Sequence, residues 1–164
     1  MFSVKFQNDD VTQYLNQSDG GNRYPVGFIC INNELQKSHN YPNVYECANR
    51  VTSVYTFLEN KYLLAKLNSV LITPNIRNQL DELLLTTHSM DHVFNVRNNS
   101  LPKQPDIYTT PDTYNAATEA VLCAVSLTDY LCRDEVKSGF ALIRPPGKDH
   151  SLTYLLTYLM TYIH

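Results

Sequence analysis

Short apolar runs alternate with amphipathic stretches along this chain. Residues 25–31 carry Val26, Phe28, Ile29 and Ile31 almost without interruption. A run this short, with no clean alternation, predicts a strand buried on both faces. Over residues 45–67 the apolar positions Val51, Val54, Tyr55, Leu58, Tyr62 and Leu63 recur at helical spacing, which predicts a helix. Ser69-Val70-Leu71-Ile72-Thr73 is rich in β-formers and stops at Pro74, so it reads as a second strand. Residues 78–85 and 89–96 read as two short helices. Residues 98–111 contain Pro102, Pro105 and Pro111 and read as a loop. Asp112 is placed to cap a long helix over 113–133, whose small apolar face is Ala116, Ala117, Ala120, Val121, Ala124 and Leu127. Phe140-Ala141-Leu142-Ile143 forms a third strand, closed by Pro145-Pro146-Gly147. The tail over 151–163 fits helix or strand, and Tyr154, Tyr158 and Tyr162 at intervals of four favour helix.

Strands separated by helices predict an α/β fold with a parallel sheet flanked by helices. The polar start, residues 1–24, includes Asn16-Gln17-Ser18-Asp19-Gly20-Gly21-Asn22 and reads as loop. Residues 25–164 then form one domain, and 164 residues are enough to build a core. Composition adds exclusions. With 43% apolar and 18% charged residues the chain is globular rather than disordered. A net charge of −3 gives no basic field for nucleic acid. The N-terminus lacks the apolar centre of a secretory signal, and residues 152–163 are too few to span a bilayer, so no membrane role is expected. Cys30, Cys47, Cys123 and Cys132 show no C-x-x-C pairing, which predicts reduced thiols and an intracellular setting, cytoplasm or nucleus.

Gly139-Phe140-Ala141-Leu142-Ile143-Arg144-Pro145-Pro146-Gly147 resembles the histone deacetylase family, whose G-x-A-x-x-R-P-P-G strand leads to a pair of histidines. Other segments fall in the family's order. Asp106-Ile107-Tyr108-Thr109-Thr110-Pro111-Asp112-Thr113-Tyr114, followed by an alanine-rich helix, is similar to class II members. Asp81-Glu82-Leu83-Leu84-Leu85-Thr86-Thr87-His88-Ser89 looks like the segment where the family commonly carries E-L-x-x-V-H-S, and Gly27-Phe28-Ile29-Cys30 resembles the first strand. Tyr41-Pro42-Asn43 with Asn49-Arg50-Val51 resembles H-P-E-x-P-E-R-L with extra residues between the halves. The resemblance runs from about residue 25 to 151. It implies an arginase/deacetylase-like sheet, incomplete at the C-terminus.

The activity implied is hydrolysis of an N-acetyl amide on lysine. A zinc ion on three protein ligands activates water and polarises the carbonyl, the histidine pair moves protons, and a downstream tyrosine stabilises the oxyanion. This chain departs from that pattern. Aligned without gaps, Lys148 and Asp149 occupy the two histidine positions, with His150 next to them; alternatively two residues are deleted and Asp149-His150-Ser151-Leu152 matches the segment just after the pair, and under either alignment the histidine pair is missing. An unperturbed lysine near pKa about 10.4 and an aspartate near about 3.9 are poor proton shuttles at neutral pH. The zinc ligands implied by the family, an Asp-x-His pair and a later Asp, find no match, because residues 151–164 contain no Asp or Glu and only His164. No catalytic residue and no metal ligand is therefore assigned, and no cofactor is expected in this chain, although the family uses zinc. His88 and His92, with Asp91 between them, have a spacing that can bind zinc on a helix. Without a third ligand they read as surface or capping residues. His39 has no neighbour in sequence to recommend it and reads as solvated.

Arg144, Gly147 and Arg50 are candidates for the floor of the pocket the family would form here. Arg144 has a second reading, as a tie between the strand end and neighbouring loops, and Arg50 as the anchor of its own helix. The expected function is a catalytically inactive, truncated deacetylase homologue. It would act by binding a protein partner or a second copy through its incomplete sheet edge. The alternative is a fragment of an active enzyme whose metal-binding half lies elsewhere. Unrelated chemistry has no support, since G-x-S-x-G, P-loop and G-x-G-x-x-G motifs are all missing from the sequence.

Overall fold

The computed structural model describes residues 26–40, 45–101 and 108–145. Three strands lie parallel in the order β2-β1-β3: β1 is Val26–Cys30, β2 Asn68–Ser69 and β3 Ser138–Leu142. The central strand is β1, and its Gly27, Phe28 and Ile29 are buried, as the unbroken apolar run predicts. Phe28 pairs with Phe140 on β3 and with Ser69 on β2. Helix α1 (Asn33–Ser38) follows β1 and is capped by the Asn32 side chain, which accepts from the Glu34 N–H at 2.8 Å.

Helix α2 is Asn49–Asn60, and a 3₁₀ turn follows at Leu64–Lys66. The expected helix over 45–67 is thus cut in two. The cause is Tyr62, which sits in the left-handed region at φ 56°. Around it Tyr62 N–H donates to Glu59 O and Leu63 N–H to Leu58 O, both at 2.9 Å. These are the two bonds that close a Schellman helix end. Asn99 and Asp134 end two later helices in the same way, at φ 54° and 60°.

The second strand is shorter than expected. Val70 N–H still reaches Phe28 O at 2.9 Å, but residues 71–73 leave the ladder. Thr73 instead caps α3 (Pro74–Asn78), accepting from Ile76 N–H, and Pro74 occupies the first turn, where its missing N–H has no cost. The proline that reads as a strand stop is a helix start. Two further helices follow, α4 (Leu80–Thr87) and α5 (Met90–Arg97), and then the long α6 (Thr113–Cys132). Asp112 makes no side-chain cap bond; Thr113 Oγ1 accepts from Thr110 N–H at 2.7 Å instead.

The buried apolar residues among those described form two clusters. One cluster joins Phe28, Ile31, Val51, Ala120 and Leu142, with Tyr55, Leu58 and Leu64 against it. A second joins Ile29 and Val70 to Cys123, Leu127 and Val136. Close approach of α6 to the sheet depends on two glycines paired across β1 and β3, Gly27 and Gly139. A Cβ on Gly139 would lie 2.5 Å from Leu127 Cδ1 and 2.9 Å from its Cγ. Leu127 is itself buried, so it has little room to yield. Gly139→Ala is expected to destabilise the fold by about 1–3 kcal/mol in urea unfolding, and Leu127→Val in the same chain to recover part of that loss.

An arginine clamp at the end of the third strand

The largest of the fully buried side chains among the described residues is a charged one. Arg144, two residues past β3, is 2% exposed. A buried guanidinium must have its donors satisfied. Its Nε donates to Glu46 Oε1 at 2.6 Å. Nη1 donates to His39 O at 2.7 Å and to Gln36 O and Oε1 at 3.2 and 3.3 Å. Nη2 donates to Glu46 O at 3.2 Å and to the Tyr108 hydroxyl at 2.5 Å. The Gln36 side-chain amide returns a bond to Arg144 O at 3.2 Å. One side chain thereby joins the end of β3 to α1, to the segment ahead of α2 and to the loop ahead of α6. The Arg144–Pro145 peptide bond is cis.

Three neighbours complete the cluster. Glu46 also accepts from the Tyr108 hydroxyl at Oε2, 2.9 Å away. Burial, and then the hydrogen bond to Glu46, push the Tyr108 phenol up to about 12. His39 is buried, contrary to its expected solvated state, because it closes α1 and its ring stacks on Tyr108 at 5.1 Å. Its Nδ1 lies 3.1 Å from Thr113 Oγ1 and 3.3 Å from Thr110 Oγ1. Burial, and then the nearby Arg144 cation, hold its pKa below the usual histidine value.

Arg50 stands apart from this cluster. Its side chain is 60% exposed and reaches Glu46 Oε1 only at 3.6 Å, one helical turn away. Gly147, Lys148, Asp149 and His150 lie outside the described residues, as do residues 1–24, the Tyr41-Pro42-Asn43 segment and the tail over 151–163. The pair His88 and His92 stacks at 5.1 Å, where His88 closes α4 and Ser89 caps α5 by accepting from His92 N–H at 3.2 Å. Cys30, Cys47, Cys123 and Cys132 are free thiols. Burial pushes Cys30 up to about 11 and Cys123 up to about 12, so neither is an activated nucleophile.

Residues 44–151, more than half of the chain, match the histone deacetylase domain. The chain belongs to the histone deacetylase family. Among solved structures it is similar to the HDA15 HD domain, with a TM-score of 0.56 and 26% identity. That likeness covers 75% of this chain and 36% of the other, so the chain spans about a third of the solved domain's length.

For a deacetylase-family chain, the missed partner is Glu46. The H-P-E-x-P-E-R-L pattern sets its first glutamate four residues ahead of its arginine. Glu46 and Arg50 keep that spacing without an insertion, and the family match begins at residue 44, beyond Tyr41-Pro42-Asn43. Gln36 and His39 carried no comparable signal, since nothing in sequence marks a side chain that will meet an arginine about a hundred residues later. Among the described residues no three His, Cys, Asp or Glu side chains are grouped to hold a metal. No helix among them is long and apolar enough to cross a membrane.

Breaking a buried charge pair from one side leaves the other partner uncompensated. Arg144→Leu is expected to cost about 3–5 kcal/mol in chemical denaturation. Arg50→Ala, an exposed pair member, is expected to stay within about 1 kcal/mol of the parent chain.

Proposed function

We propose that this chain is a histone-deacetylase-type scaffold that does not hydrolyse acetyl-lysine amides by itself and acts by binding another polypeptide. The observation that carries this is the pair Lys148-Asp149 directly after Arg144-Pro145-Pro146-Gly147, where the family pattern calls for two histidines. A metal-bound water without a neutral imidazole beside it lacks its proton acceptor. Arg144 fits it too: its nitrogens are engaged by protein acceptors, which favours a structural tie over a pocket floor.

A protein partner is the fitting occupant of the sheet. Strand β3 is paired on one side only, with β1, and is an edge among the described residues. Phe140 at its centre stacks on Phe28 yet stays 45% exposed. An edge strand without charged side chains is a template for another strand. The partner of this reading is a second copy or a deacetylase-type chain. Zinc belongs to the family's chemistry and is not assigned to this chain. An intracellular setting follows from the reduced thiols of the same reading.

The second reading is a piece of an active zinc-dependent deacetylase, favoured by the 36% coverage of the HDA15 HD domain. The coding sequence after His164 separates the two, because an in-frame Asp-x-His followed by a glycine-rich stretch belongs only to the second.

The direct test is elemental analysis of the purified chain together with turnover of an acetyl-lysine peptide. Less than stoichiometric zinc and no turnover are expected. Replacing Lys148 and Asp149 by histidine is expected to leave turnover at background. Stoichiometric zinc with measurable hydrolysis would contradict the proposal.

A further inference from the structure

We propose that a second copy of this chain pairs with β3 edge to edge, antiparallel, about a two-fold axis at Phe140. The inference rests on the reading of β3 as a docking edge and names its occupant. Hydrogen bonds show which groups the edge presents. Ile31 N–H donates to Leu142 O at 3.1 Å, so the polar groups of Leu142 face β1. Along a strand, successive residues turn their N–H and C=O to alternate sides. Ser138 and Phe140 therefore face β1 as Leu142 does, while Gly139 and Ala141 face outward. The parallel register, with Phe28 opposite Phe140, agrees.

Self-pairing satisfies this edge in one register. A closed two-fold contact sets residue i against j and j against i. With the axis at Phe140, the middle of Ser138–Leu142, Gly139 of each copy meets the partner's Ala141. Each such pair exchanges both its bonds, so every outward N–H and C=O of the strand is used. Moving the axis to Gly139 or Ala141 halves the number of bonds. Phe140 then faces its own image in a non-hydrogen-bonded pair, the kind with Cα atoms only about 4.5 Å apart. Its ring is 45% exposed and already stacks on Phe28 at 6.1 Å. Pairing extends that stack into a row of rings across both copies. Ser138–Leu142 carries no charge to repel its image. Lys137, just ahead of the strand, meets the partner's Ile143 and not its own image.

The opposite face accommodates the second copy. Gly139 approaches Leu127 of α6, and so does Gly27 on β1, which sets α6 between the two strands. With strands about 4.8 Å apart, the two-fold places the two α6 helices roughly 10 Å from each other, an ordinary helix-packing distance. From Ala120 to Thr128 the helix has no charged residue. A foreign strand finds no such match, because the edge is complementary to itself. The strand gives five residues a side. A stable interface uses roughly 20–30, so even with the helices the dimer is weak, with a Kd of about 10–200 µM.

Sedimentation equilibrium of the full chain from about 5 µM to 1 mM is expected to show monomer and dimer in exchange. Phe140→Lys sets two cations face to face and is expected to weaken the dimer at least about tenfold. Because Phe140 also packs on Phe28, Ala141→Pro is the second variant. It removes an outward donor, leaves the ladder to β1 intact and is expected to weaken the dimer equally. Register is read by cross-linking in a Cys132→Ser background. Phe140→Cys is expected to give a disulfide dimer on mild oxidation, and Ser138→Cys is not, since Ser138 lies opposite the partner's Leu142. A monomer at every concentration would overturn the pairing, as would equal cross-linking by both variants. Exchange-protected Gly139 and Ala141 amides in a monomer would assign the edge to the chain's own residues. A complex formed only with a deacetylase-type chain would assign it to that partner, and either result overturns self-pairing. Zinc content and turnover are measured separately, so these failures leave the inactive-scaffold reading standing.

Discussion

A guanidinium taken out of water needs acceptors for all of its N–H groups, and a side chain alone cannot provide them. Arg144 finds its acceptors in four residues drawn from three separate segments: Gln36, His39, Glu46 and Tyr108. Three of those contacts are with backbone carbonyls, of residues 36, 39 and 46, so the path of the chain after α1 is set as well as its side chains. The remaining architecture depends on this constraint. Among the described residues the sheet holds three short strands, one of them two residues long. Its upper end is closed by the arginine, while its body is closed by α6 packed over Gly27 and Gly139.

This arrangement separates two roles that the R-P-P-G strand combines in the family pattern. The strand and its arginine organise the loops at the end of the sheet. The residues that follow carry the proton chemistry. On the proposed reading, with Lys148 and Asp149 after Gly147, this chain keeps the organising half. Losing either Arg144 or Glu46 strands a charge, so both have a role in folding. The motif therefore identifies ancestry and fold more securely than activity.

How much of this was legible in the sequence depends on the physical scale of each signal. The buried run over Val26–Cys30 and the alanine face of α6 are dense local patterns, and both elements stand where they were expected. Helix ends were harder. Three helices stop through a left-handed Tyr62, Asn99 or Asp134 rather than a glycine, so the usual mark of a C-terminus is missing. Pro74 carried two meanings, strand stop and helix start, and only the Thr73 cap distinguishes them. The clamp itself was half legible. Arg144 was visible through its motif, and a tie to neighbouring loops was one of its two readings. Its partners were not, since Gln36 and His39 become polar core residues only when β3 arrives beside β1. Glu46 was within reach through its four-residue spacing to Arg50.

The account rests on the Arg144–Glu46 contact being a coupled pair and not two separate surface-like interactions. A double-mutant cycle with Arg144→Met and Glu46→Gln, read by equilibrium urea unfolding, measures that coupling. A clamp predicts a coupling energy of about 1.5–3 kcal/mol, with the double variant far less destabilised than the sum of the singles. Additivity within about 0.5 kcal/mol would contradict the clamp, and with it the view that this strand is kept for structure.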